Sequence, residues 1–275
     1  MDKLESKTHN AVYATFVIKN QLLKTTRLFQ DRDNFSPRCV YEHSEGNIPK
    51  VAEGEDTTST PNHKFITFAP QRHDIQHFLS DKQPKTVSGN PVLDVSNQLA
   101  YAFAHKLDSD ITETFKKFTG GTVGATGKKL TWGRISRASA NLSINKAHGH
   151  EFCVLHPYQW VDLIATASDA GHIITRRANN YIWEHGMYFE STLMPNTTFF
   201  VTPAIVIDVN GDATGAMYAS NAIGVDIRQE FTVKAQRDAN RQATEINASM
   251  VYDVGILNPL FGIKIISDVT DPEQD

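Results

Sequence analysis

Residues 94–118 read DVSNQLAYAFAHKLDSDITETFKKF, and this stretch decides the class of fold. Val95, Leu99, Phe103, Leu107, Ile111 and Phe115 recur every four residues, which lays one apolar stripe along a helix. Neither Gly nor Pro interrupts it. Asp94 or Ser96 can cap its start, because a short side-chain oxygen accepts from the free N–H groups of a first turn. At a rise of 1.5 Å per residue the stretch would span about 37 Å, roughly twice the mean helix. The spacing therefore predicts one long rod that serves as a backbone of the fold.

Toward the C-terminus, residues 119–127 hold four glycines and read as a flexible loop. Thr131 then caps a shorter helix with Trp132, Ile135, Ala138 and Leu142 on one face. Residues 152–155 form a short apolar strand that runs into Pro157, a favoured first helical residue, with Trp160, Val161, Ile164 and Ala167 assigned to the inner face. Beyond residue 181 the period changes to two. Val225, Ile227, Phe231, Val233 and Ala235 alternate with Asp226, Arg228, Glu230, Thr232 and Lys234, and only Gln229 breaks the inner row. Ile246, Ala248, Met250, Tyr252, Val254 and Ile256 face one way, while Asn247, Ser249 and Asp253 face the other. Residues 262–267 add a last short strand. Such alternation belongs to antiparallel sheet with one wetter face, and no regular βαβ rhythm accompanies it, so the class is α+β.

Toward the N-terminus the signal weakens. Residues 41–64 carry only Tyr41, Ile48, Val51 and Ala52 as apolar side chains among glycines, prolines and a polar run, too few to build a core. An excursion of this kind in a compact domain finds its packing partner elsewhere or stays disordered. Residues 1–37 show no period and read as an arm.

The whole composition is that of a folded protein: 40% hydrophobic, 21% charged, with 27 basic against 31 acidic residues and a net charge of -4. That balance argues against tight nucleic-acid binding, which needs a basic surplus to displace counterions. Cys39 and Cys153 are too few for a disulfide framework, which places the chain in a reducing compartment with both thiols free. The first residues lack the apolar core of a signal peptide, and the longest apolar run, 198–209, is cut by Pro203 and Asp208, so no membrane span is expected.

Motifs that carry chemistry are incomplete. Gly120, Gly121, Gly124, Gly127 and Lys128 suggest a phosphate cradle, but Thr122 stands where a Walker loop needs glycine, and Lys129 where it needs Ser or Thr. His73 and His77 have the spacing of two zinc ligands on a helix, yet Asp74 replaces the glutamate of the metalloprotease motif and Pro70 argues against a helix. His148, His150 and Cys153 form a second incomplete cluster. The carboxylates Asp108 with Asp110, and Glu245 with Asp253, read as a solvated face. No nucleophile elbow, Cys-x-x-Cys or dinucleotide fingerprint occurs. The reading is not an enzyme, and no catalytic residue, cofactor or metal site is assigned.

The order of these pieces from Gly46 onward resembles the Hong Kong 97-like major capsid proteins of tailed bacteriophages. Ile48-Pro49-Lys50, a polar run and Phe65-Ile66-Thr67-Phe68 look like that family's extended loop, and residues 92–118 like its spine helix. The glycine-rich stretch, the helix after it and the segment Val154-Leu155-His156-Pro157-Tyr158-Gln159-Trp160 are similar to the start of its axial domain. The closing pattern carries the likeness furthest: Asn221-Ala222-Ile223-Gly224-Val225, then Ala243 to Tyr252, then Gly262-Ile263-Lys264-Ile265-Ile266-Ser267.

The resemblance implies an N-terminal arm at 1–37, an extended loop at 38–82, a peripheral domain at 83–118 and 239–275, and an axial domain at 119–238. It implies a shell subunit forming hexamers and pentamers around double-stranded DNA held by weak contact, located in the virion after assembly in the host cytoplasm. Portal, scaffolding and decoration proteins would be its other partners. About 40 residues precede the extended loop, without the long scaffold segment of some members, so assembly would use a separate scaffolding protein, or none that the sequence reveals. An encapsulin-type nanocompartment shell is the alternative within the fold, and a metal-dependent hydrolase using His73 and His77, or His148 and His150, the alternative outside it. Because residues 45–62 cannot supply a core of their own, deleting them should leave a folded subunit that no longer forms shells, as seen by circular dichroism and electron microscopy side by side. Unfolding of the deletion variant would place the segment inside the core.

Overall fold

In a computed structural model of the chain the described residues are 22–30, 37–41, 65–80, 91–169, 188–190, 194 and 196–269. Most of the arm 1–37 and of the excursion 41–64 lies outside them. The chain divides into two compact units, one made of residues 1–36, 69–111 and 225–254, the other of 37–68, 112–224 and 255–275.

In the first unit the rod is present as α1, Pro91–Thr114, followed by a 3-10 turn at Phe115–Lys117. It starts earlier than Asp94 because Pro91 supplies a helical φ at a position whose N–H has no intrahelical partner to lose. The stripe falls where its period placed it, with Leu99, Phe103, Leu107 and Ile111 buried. Lys106 is exposed on the opposite side and bridges to Asp110.

A four-stranded sheet accompanies the helix in the order β1-β10-β11-β4, comprising Arg27–Gln30, Ile223–Asp238, Ala243–Ile256 and Gln71–Ser80. Strands β4 and β11 are antiparallel, with Gln71 opposite Tyr252 and Ser80 opposite Ala243. On β11 the alternation holds from Ile246 to Met250, but Val251 is buried together with Tyr252, and Val254 and Ile256, expected in the inner row, are only half-buried. On β10 it holds only in part. Every residue from Ile223 to Arg228 is buried, so Asp226 and Arg228, expected on a wet face, lie inside, with Arg228 Nε 2.9 Å from Asp226 Oδ2. Further along, Lys234 to Arg237 are exposed, and Ala235, expected in the inner row, is open to solvent. The ring of Phe231 meets that of Phe103 on α1 at 5.1 Å.

The second unit contains a six-stranded sheet in the order β5-β12-β9-β6-β8-β7. These strands are Thr122–Gly124, Gly262–Asp268, Asp212–Ala219, Glu151–Leu155, Thr197–Val201 and Tyr188–Glu190. The sheet is mixed. β6 runs parallel to β8 through the crossover helix α3, Pro157–Asp169, and β12 runs parallel to β5, while the other pairings are antiparallel. One face packs against α2, Trp132–Ile144, and α3 through Ile135, Ala138, Leu142, Trp160 and Leu163. The rings of Phe115, Phe118, Phe152, Phe200 and Tyr218 lie together within about 6 Å of one another in successive pairs. Val161, assigned to the inner face of α3, is exposed, and Leu163 takes that role.

Two further expectations change. Residues 119–127 are not simply a flexible loop, because Thr122–Gly124 is strand β5. A Cβ at Gly120 would lie 2.2 Å from the Leu260 carbonyl oxygen, and one at Gly124, whose φ is +95°, would lie 1.9 Å from that of Ile266. The glycines are there for close backbone approach. The strand at 262–268, grouped by the resemblance with the long helix, pairs with β5 and β9 and so belongs to the second unit.

A separate two-stranded ribbon joins β2, Arg38–Tyr41, to β3, Phe65–Phe68, with Arg38 opposite Phe68 and Tyr41 opposite Phe65. The chain thus leaves for residues 42–64 and returns beside itself, with Phe68 fully buried at the root.

Leu107→Asp should abolish soluble folded protein. It forfeits roughly 1.5–3 kcal/mol of leucine burial and buries an unpaired carboxylate at several kcal/mol more, against a total stability of about 5–15 kcal/mol. Lys106→Ala should change stability by less than about 0.5 kcal/mol, and comparison of soluble yield and denaturation midpoint checks the pair. Gly124→Ala should cost well over about 1 kcal/mol, because both its φ and its neighbour are incompatible with a side chain. Lys128→Ala should be near neutral in the same denaturation series.

Candidate functional site

The residue groups that suggested chemistry are drawn apart or turned to structural use. His73 and His77 lie on strand β4, where four residues span about 13 Å rather than one helical turn. His73 stacks on Tyr252 with ring centroids 4.5 Å apart. His77 is exposed, opposite Ile246 on β11.

The second cluster separates as well. His148 is exposed and meets the edge of Phe261, whereas the His150 Nε2 pairs with the Thr198 hydroxyl. Cys153 is fully buried, and burial, helped by the charge of Glu151, pushes its thiol far above the usual range. Such a thiol is a packing group, not a nucleophile. Among the described residues no three His, Cys, Asp or Glu side chains come together to hold a metal ion.

The carboxylates do not form a uniform solvated face. Asp110 accepts from the Tyr252 hydroxyl at 2.7 Å and bridges to Lys106. Burial, then the hydrogen bond and charge of Asp110, push that phenol upward. Asp253 accepts from the Ala69 N–H at 2.7 Å, and Glu245 accepts from the Asn247 amide at 2.6 Å and from Gln76. Asp108 differs most from the expectation: burial raises its carboxyl to about 7 against a small lowering by the Leu22 N–H.

Sequence reasoning missed the buried polar ties. Gln159 is fully buried, accepts from the His156 N–H at 3.0 Å, and donates to Ala213 O at 3.0 Å and Ser267 Oγ at 2.9 Å. It fastens the first turn of α3 to strands β9 and β12. Glu151 accepts from Ser139 at 2.9 Å and Thr197 at 3.0 Å. The only local signal was a polar residue among apolar ones at 154–164, which does not reveal its distant partners. Among the described residues these side chains serve as ties within the scaffold.

No known family model and no curated protein matches the chain. Solved structures do. It is similar to the capsid of Ralstonia phage GP4 at 12% identity over 90% of this chain and 88% of that one, with a TM-score of 0.66. A Mycobacterium phage Che8 structure matches at 13% identity over 90% of both chains, with a TM-score of 0.64. A virus-like particle from Pyrococcus furiosus matches at 11% identity over 95% of this chain and 99% of that one, with a TM-score of 0.62. At such identities the shared property is the fold: nearly the whole chain folds as the subunits in these phage capsid and virus-like particle structures do.

Proposed function

We propose that this chain is a structural shell subunit, the major capsid protein of a tailed double-stranded DNA bacteriophage. The observation that carries the reading is the end-to-end likeness to capsid chains, about nine-tenths of each partner in the phage matches. A shared fold alone does not assign function. One feature of this chain adds to it: the ribbon β2–β3 flanks residues 42–64, a polar stretch with too few apolar side chains to build a core of its own.

In this reading the subunit is not an enzyme and works by contact with copies of itself, as hexamers and pentamers of a Hong Kong 97-like shell. The unit built on α1 and the hairpin β10–β11 is the peripheral domain, and the unit built on the six-stranded sheet is the axial domain. The stretch 38–82 is the counterpart of the family's extended loop, less Gln71–Ser80, which is strand β4 of the four-stranded sheet. The near-neutral charge suits a wall that contains DNA without gripping it. Portal, scaffolding and decoration proteins are its remaining partners, and the virion its location.

Purified or co-expressed protein should elute as a megadalton assembly and appear as closed shells by negative-stain microscopy. A monomer under every assembly condition overturns the proposal. Shells that enclose protein cargo in place of DNA move the assignment to the encapsulin-type compartment.

A further inference from the structure

The charge of this chain is unevenly spread. From Thr114 to Ile144 it carries Lys116, Lys117, Lys128, Lys129, Arg134 and Arg137 and no Asp or Glu, although acidic residues outnumber basic ones 31 to 27 over the whole chain. The stretch belongs entirely to the second unit. A run of one sign in a net-acidic chain makes a local field that the total charge conceals.

Four of these cations are drawn together at the turn from β5 into α2. Lys128, Lys129 and Arg137 are exposed and Arg134 is half-buried. The turn is pinned residue by residue through its backbone. The Gly127 N–H donates to Oδ1 of the buried Asp212 at 2.9 Å, Lys128 O accepts from the Asp268 N–H at 3.2 Å, and Lys129 O accepts from Arg134 Nη1 at 3.1 Å. Leu130, next in the chain, is fully buried. Backbone bonds thus hold the turn while both lysine side chains stay outside. The bond from Arg134 brings its guanidinium against the lysine turn, and Arg137, three residues on, is its neighbour along α2.

Other surface cations of this chain are paired. Lys106 bridges to Asp110, Arg72 to Asp74 and Arg241 to Asp238, whereas Lys128, Arg134 and Arg137 make no ion pair among the described residues. The surface between them is small and polar: Thr126, Gly127, Gly133 and Ser136 are exposed, and no large hydrophobic side chain is exposed from residue 122 to 137. A protein–protein interface draws its strength from an apolar or aromatic anchor at its centre. A phosphate backbone needs only well-placed cations.

We propose that the turn 127–129 and the part of α2 carrying Arg134 and Arg137 form a binding surface for the phosphate backbone of double-stranded DNA. The choice of DNA rests on the shell reading, in which DNA is the polymer enclosed. Four cations give weak contact without sequence preference, in keeping with a chain of small net charge.

Fluorescence anisotropy of a short labelled DNA duplex with dilute, unassembled full-length protein tests this. Affinity should fall with salt at a log–log slope of about −3 to −4, roughly a hundredfold between 50 and 200 mM, as four displaced counterions require. Lys128→Ala, near neutral for stability, should reduce that slope by about 1. The double variant Lys128→Glu with Arg137→Glu should weaken binding at least about tenfold at the lower salt, while Lys234→Glu, an exposed lysine of the first unit, leaves it unchanged. No binding at the lower salt, a slope unmoved by Lys128→Ala, or an equal loss with Lys234→Glu overturns the surface. Poly-glutamate that binds as tightly as DNA at equal charge overturns the assignment to DNA in favour of an acidic protein. Shell formation is scored by microscopy on the same preparations. Shells without DNA binding at this surface overturn this proposal alone, and binding there by a chain that never assembles upholds it while overturning the shell reading.

Discussion

The second unit depends on a sheet whose central strands are buried from both sides. Successive residues of a strand point to opposite faces, and here both members of the pairs Phe152–Cys153, Phe199–Phe200 and Met217–Tyr218 are packed. Cys153, Phe199 and Met217 meet α2 and α3, while Phe152, Phe200 and Tyr218 join the aromatic group with Phe115 and Phe118. With both faces of these strands largely covered, a buried polar group there must find its partner inside the protein. This requirement explains Gln159, which bonds three separated pieces of chain, and Glu151, which is satisfied by two hydroxyls.

It also explains why residues that look chemical prove to be structural. A buried carboxylate, an imidazole on a hydroxyl and a fully buried thiol are common in active sites, but here Glu151 and His150 are held by hydroxyls and Cys153 packs in the apolar core. Asp226 and Arg228 form the same kind of closed pair inside the first unit, where breaking one partner would leave a desolvated charge. The glycines at 120 and 124 follow from the same crowding, since β5 must approach β12 and the preceding turn too closely for any side chain.

In the proposed shell reading, function rests on what the scaffold presents rather than on what it encloses. The ribbon β2–β3 opens a long polar excursion from a buried root at Phe68, and the tip of the hairpin β10–β11 is solvent-exposed on both faces. The exposed hairpin tip buries little surface within its own chain, so it is available for contacts with others.

Much of the local structure was legible in the sequence. The four-residue recurrence from Leu99 to Phe115 set the helix and its buried stripe, Pro157 marked the strand-to-helix joint, and the alternation from Ile246 to Met250 set the register of β11. These features need only a window of neighbouring residues, because a helix or a one-sided strand writes its burial into its own period. Tertiary structure alone decided the rest. Strands β8 and β9 carry no period because both their faces are covered, and which strand pairs with which is a property of residues far apart in the chain. For the same reason the sequence could not tell that 262–268 belongs with β9, that Asp226 lies inside, or that Asp108, one step from an obvious core leucine, is itself half-buried.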